Sequence, residues 1–229
     1  MLSDAAALIT GRTDQHIESI NERHGMHKVA LPAFLKLQQK AKLDGFDLSL
    51  VSSFRSFDRQ LAIWNRKYTG QATVLDINEQ PVNLDDLSEL DKIQAIMLFS
   101  ALPGASRHHW GTDIDVYAPN LLPQGQSLQL EVWEYQEGGP MHPLSIWLNE
   151  NAKSCGFFRP YDCFRGGVSE EPWHLSFAPV ANGLQAALSE EIIEEAIETA
   201  TIEGKDAIIA NLSNLFSTFI TNVGVFPNE

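Results

Sequence analysis

Two short stretches of this chain concentrate the side chains that metal-assisted hydrolysis needs. The first is Ser106-Arg107-His108-His109-Trp110-Gly111-Thr112-Asp113-Ile114-Asp115, and the second is Glu171-Pro172-Trp173-His174. Together they offer imidazoles, an aspartate and a nearby glutamate, which is the inventory of a catalytic zinc site: three protein ligands, one open position and one general base.

The spacing works if these residues lie on strands and the turns beside them. Residues 112–118 read as a strand, so Asp113 and Asp115 share one face while Ile114 and Val116 take the other. Gly111 permits a tight reversal that brings His108 back over the polar face. In the second stretch Trp173, Leu175 and Phe177 alternate with His174 and Ser176, which gives a strand presenting His174 opposite an apolar face. Glu171 has the wrong parity for that face, and Pro172 removes a ladder donor, so Glu171 is expected to approach from the preceding turn.

The pattern Ser106-x-His108-x-x-Gly111-x-x-x-Asp115, followed by Glu171-x-Trp173-His174, resembles the paired signature of the zinc D-alanyl-D-alanine carboxypeptidases and dipeptidases of the VanY/VanX type, the LAS/M15 peptidases, whose fold is shared with the hedgehog signalling domain. The segment Ser52-Ser53-Phe54-Arg55-Ser56-Phe57-Asp58-Arg59-Gln60 resembles the one that carries that family's active-site arginine. Three motifs in order, over residues 29–179, are far more specific than any one alone. The resemblance implies one zinc per chain on His108, Asp115 and His174, with Glu171 as catalytic base and Arg55 as oxyanion stabiliser. It also puts Ser106 and Gln60 within reach of substrate. Asp113 stands where many members carry a small or apolar residue, so a further carboxylate is expected at the substrate pocket.

The surrounding elements must position these motifs. Residues 31–43 read as a helix with Pro32 in its first turn, and residues 46–52 as a half-buried strand that delivers Arg55 just past its end. Ser56 is suited to cap a helix running to about Tyr68, with Leu61 and Trp64 inward. A polar loop at 70–83 and a helix at 84–102 follow, stopped by Pro103-Gly104 ahead of the first metal motif. Beyond it, Pro143 opens a helix with Leu144, Trp147 and Leu148 inward, and residues 157–161 read as a strand. Few strands and several helices in mixed order predict an α+β fold, a small antiparallel sheet flanked by helices.

Bulk properties narrow the partners. The formal net charge is −14 over 229 residues, without a basic run, which disfavours nucleic acid and anionic membranes. No apolar run is long enough to span a bilayer. The N-terminus lacks a secretory signal, so the chain is expected in the cytoplasm as written, and periplasmic or secreted if a leader has been removed. Cys155 and Cys163 are expected to be reduced thiols. Residues 183–229 hold eight acids against one base, net −7, half of the total. This acidic extension, following a peptidase domain at 1–182, reads as two helices broken at Gly204. Ile192, Ile193, Ala196, Ile197 and Ala200 stripe the first; Ile208, Leu212, Leu215, Phe216 and Phe219 stripe the second. The stripes are expected to pack on the catalytic core, the alternative being a homo-oligomer or partner surface.

The leading expectation is a zinc carboxypeptidase that removes a C-terminal D-amino acid, D-alanine, from peptidoglycan-type peptides. Its alternatives are a dipeptidase or endopeptidase on the same peptides and a zinc-stabilised binding module without turnover. His109 is expected to stack or support its neighbours, Trp110 and Trp173 to pack, and His16, His24, His27 and His142 to be ordinary.

Overall fold

The computed structural model describes residues 3–226. The chain opens with α1 (Asp4–Ile9), capped by Ser3, and a two-stranded hairpin, β1 (Ile17–Ser19) with β2 (Gly25–His27). Helix α2 (Leu31–Leu43) buries Leu31, Phe34, Leu37 and Ala41, one stripe at helical spacing. Strand β3 (Ser49–Ser52) starts later than expected. Just before it, the backbone is held by side chains instead of a neighbouring strand: Gln38 donates to Leu48 O, and Asp47 N donates to Asn120. Helix α3 (Phe57–Tyr68) begins at Ser56, whose hydroxyl accepts from Arg59 N at 3.2 Å.

The expected long helix at 84–102 is shorter. Asn83 caps a 3-10 turn at Leu84–Asp86, and Ser88 then caps α4 (Glu89–Met97), so two side chains compete with helical continuity at its start. Strand β4 (Asp113–Tyr117), α5 (Val132–Tyr135), α6 (His142–Asn151), β5 (Phe157–Phe158) and β6 (His174–Phe177) follow. Pairing ends at Phe158, two residues ahead of Pro160, which cannot donate to a ladder. Cys155 and Cys163 are free thiols, as expected.

The four-stranded sheet has the order β3-β4-β6-β5 and is antiparallel throughout. Its apolar face, Ile114, Val116, Leu175 and Phe177, packs on a core with Phe34, Leu37 and Trp147. Its polar face carries Asp113, Asp115, His174 and Ser176 and looks toward a second core. That second core contains Phe57, Trp64, Ile93, Met97 and Trp110.

The acidic extension belongs to the second core. After α7 (Ala178–Ala187) come α8 (Glu190–Glu198), α9 (Lys205–Ala210), α10 (Leu212–Leu215) and a π-helical turn at Phe216–Ile220. Ile193, Ala196, Ile197, Ile208, Leu212, Leu215 and Phe219 are buried in the same cluster as Trp64 and Ile93. The stripes are therefore spent inside the chain. Among the described residues no helix is long and apolar enough to cross a membrane.

Candidate active site

Register brings the strand residues together. Asp115 of β4 stands opposite His174 of β6, and Asp113 opposite Ser176, so all four project from the polar face. His108 sits on the 3-10 turn Arg107–Trp110. Gly111 reverses the chain there with φ of +66°, and its carbonyl accepts from His27 N at 2.8 Å. A Cβ at this glycine would lie 2.8 Å from His27 N, so both the turn and the close approach require glycine.

One donor atom from each of His108, Asp115 and His174 lies within 4.8 Å of the others. Hydrogen bonds fix which atoms these are. His108 Nδ1 is 3.0 Å from Ser53 O and 3.1 Å from Asp113 O, so it carries the proton and leaves the Nε2 lone pair facing Asp115, 3.4 Å away. His174 donates from Nε2 to Asp113 at 3.0 Å, which turns Nδ1 toward Asp115 at 3.3 Å and Glu171 at 3.2 Å. Asp115 Oδ1 and His174 Nδ1 are buried without a hydrogen-bond partner among the described residues. Buried polar atoms rarely stay unpaired unless a further group satisfies them.

The charge balance points the same way. Burial alone would strip a proton from His174, but Asp113, Asp115 and Glu171 outweigh it and raise the imidazole well above its ordinary value. Burial would likewise protonate Asp115, yet His108 and His174 hold it well below the usual carboxylate range. The carboxylates of Asp113, Asp115 and Glu171 thus favour a positive charge among them. Two imidazole lone pairs, each ring oriented by a backbone or carboxylate acceptor behind it, and the Asp115 carboxylate fit a divalent cation such as zinc.

Glu171 lies in the turn before β6, as its parity requires: His174 N donates to Glu171 O at 3.0 Å, and Glu171 N donates to Tyr161 O at 2.9 Å. Arg55 follows β3, where Nη1 donates to Gln60 at 2.7 Å and Nη2 to Ser52 at 3.0 Å. Its backbone is zipped to the turn that carries His108, with Arg55 N donating to His108 O and His109 Nδ1 donating to Arg55 O at 2.6 Å. Burial lowers the His109 imidazole to about 3, so it works as a neutral brace, stacked on Phe57. These groups open on a cavity of about 330 Å³ whose lining includes Arg55, Ser106, His108, Asp115, Glu171 and His174.

The sequence profile of the VanY family, described as D-alanyl-D-alanine carboxypeptidase, matches residues 23–180. The chain belongs to the VanY family. A D-alanyl-D-alanine carboxypeptidase of Enterococcus faecalis is 25% identical over 182 residues, 78% of this chain and 56% of that protein. A Haemophilus influenzae protein of undefined activity is 43% identical over 121 residues, 52% of this chain and 92% of its own. Among solved structures, VanYB in complex with D-alanine-D-alanine superposes with a TM-score of 0.54 at 20% identity, covering 83% of this chain and 92% of that one. A VanY mutant in complex with Zn(II), from a VanB-type resistance cassette, gives 0.53 at 21% identity, covering 79% and 92%. At such identities the superpositions establish the shared fold.

Within this VanY domain two expected substrate contacts lie elsewhere. Asp113 is fully buried behind His174 and outside the cavity. It accepts from Arg107 Nε at 2.7 Å, Thr112 Oγ1 at 2.7 Å and Ser176 Oγ at 3.1 Å, besides His174. Burial alone would raise its pKa, but Arg107, His174 and Thr112 keep it ionised. Gln60 is also fully buried, bonded to Arg55 and to Ala101 O at 2.6 Å, and is not among the residues that line the cavity. Ser106 does line the cavity.

Three participants went unanticipated. Arg107 neutralises Asp113 and packs over Trp110 with 4.7 Å to the ring centroid. Tyr161 meets His174 edge-on at 4.9 Å, its phenol pushed up to about 12 by burial. Lys67 enters the cavity from α3. Arg107 sits inside the metal motif next to Asp113, and a lysine on the buried stripe of a helix was also readable in the sequence; nothing in the sequence marked Tyr161.

Proposed function

We propose that this chain is a zinc carboxypeptidase that removes a single C-terminal D-alanine from peptidoglycan-type peptides, with one zinc held by His108, Asp115 and His174. The observation that carries this reading is the convergence of His108 Nε2, His174 Nδ1 and Asp115 beside Glu171 in the lining of the cavity. When bound, zinc acidifies water toward a pKa of about 7 and polarises a carbonyl.

The protein's own groups do the rest. Glu171, 3.2 Å from His174 Nδ1, takes the proton of the attacking water and passes it to the leaving amine. Arg55, whose guanidinium is already pinned by Gln60 and Ser52, stabilises the developing oxyanion without reorganising at the moment of reaction. Asp113 and the carbonyls of Ser53 and Asp113 keep both imidazoles in the tautomers that present a lone pair. Phe219 and Met97 border the cavity with apolar surface and limit water around these charges.

The test is digestion of peptides ending in D-alanyl-D-alanine, read by mass spectrometry. Loss of one D-alanine, stopped by chelator and restored by zinc, is the expected result. Release of the dipeptide or internal cleavage would replace the label with dipeptidase or endopeptidase, and zinc binding without turnover would leave a binding module.

A further inference from the structure

A carboxypeptidase has to compensate the charge of a free terminal carboxylate when it leaves water. Arg107 cannot serve, because its guanidinium is consumed by Asp113, Ser176 and Gln185. Gln60 is buried behind Arg55. With Arg55 assigned to the oxyanion, one cation of the cavity is left. Lys67 reaches the cavity from α3, one turn beyond Trp64, and its Nζ donates to Ser100 Oγ at 2.6 Å. Among the described residues it forms no ion pair. An ammonium has three donors, so two are left for a ligand.

We propose that Lys67 is the specificity-determining residue that reads the substrate's terminal carboxylate, a role that rests on the carboxypeptidase reading above. The surroundings favour such a pair. Phe219, Ile220 and Met97 line the same cavity, and the lowered dielectric they create strengthens an ammonium–carboxylate contact. Burial weakens the charged form of Lys67, with Glu171 opposing that effect and Arg55 adding to it, so an arriving anion relieves an existing cost. The position also suits the chemistry: Lys67 shares the cavity with both Glu171 and Arg55, so a carboxylate held there lies beside the groups that act on the bond preceding it.

The experiment measures, by calorimetry, binding of N-acetyl-D-alanyl-D-alanine and of its C-terminal amide to zinc-loaded Glu171→Gln protein, with and without Lys67→Met. The parent should prefer the acid. Lys67→Met should weaken the acid by about 10- to 100-fold, the worth of a hydrogen bond to a charged group, and leave the amide unchanged. Lys67→Arg should retain most of the preference, which separates charge recognition from a packing defect. In the turnover-competent protein, Lys67→Met should raise KM while kcat is retained. Equal losses on acid and amide, or none, would overturn the role of Lys67 while the carboxypeptidase reading stands. A wild-type protein that cleaves the amide as readily as the acid would overturn that reading, and the role of Lys67 with it.

Discussion

Truncating Asp113 to alanine should damage the protein in two separable ways, because this carboxylate serves two masters. It is the charge partner of Arg107, with side-chain exposures of 4% for the arginine and 0% for the aspartate, and it is the acceptor behind His174 Nε2 at 3.0 Å. Asp113→Ala leaves a buried guanidinium with only Ser176 and Gln185, and breaking a buried pair from one side costs about 3–5 kcal/mol. It also frees the His174 ring to reorient, and loss of such an outer acceptor weakens metal binding by about 10- to 100-fold, or roughly 1.4–2.7 kcal/mol. The double variant Arg107→Met, Asp113→Ala separates the two effects. Removing the orphaned charge should recover most of the stability, measured by urea unfolding of the metal-free protein, and none of the affinity, measured by competition with a chromophoric chelator. Wild-type zinc affinity in Asp113→Ala would refute the orienting role. Affinity restored in the double variant would show that the loss was only unfolding.

Other outcomes follow from the same geometry. Glu171→Gln should keep its zinc, since Glu171 stands outside the three-ligand set, while kcat falls by at least about 10²-fold; turnover at the wild-type rate would place the base elsewhere. His16 is buried against His109 O and its pKa is lowered by burial, with His27, also lowered, packed beside it. A base depressed in the fold contributes stability above its unfolded pKa of about 6.5 that is lost as pH falls below it. His16→Gln should therefore flatten the decline in melting temperature between about pH 7 and pH 5, and an unchanged slope would exclude His16 as its source. Leu215 is fully buried in the second core, so Leu215→Ala should cost about 2–5 kcal/mol, and truncation before Leu184 should expose that core and cause aggregation; a soluble truncated monomer with the parent's melting temperature would show the extension is dispensable to the fold.

Much of the site was readable because motif chemistry and strand parity act over a few residues. Asp115, His174 and the off-strand placement of Glu171 all follow from alternation and one proline. Parity, however, reports which face a residue takes and says nothing about depth. Asp113 shares a face with Asp115, yet β4 is a central strand and that face is itself covered, so Asp113 meets Arg107 and Ser176 before it can meet substrate. The same gap hid Gln60, which projects from α3 into the chain's interior. What fills the covering layer is nonlocal. His16, Ser53 and Arg55 meet the metal turn only after the chain has folded, through bonds spanning 93, 55 and 54 residues. The extension illustrates the converse. Its stripes were plain in the sequence, but that Phe219 and Ile220 would wall the cavity depends on where three helices and a π-helical turn dock. A stripe announces that a face must be buried, and only the docked partner decides that the buried face also borders the chemistry. In this chain one side of the active site is therefore built by residues beyond the family match at 23–180, so truncations at that boundary should alter catalysis as well as stability.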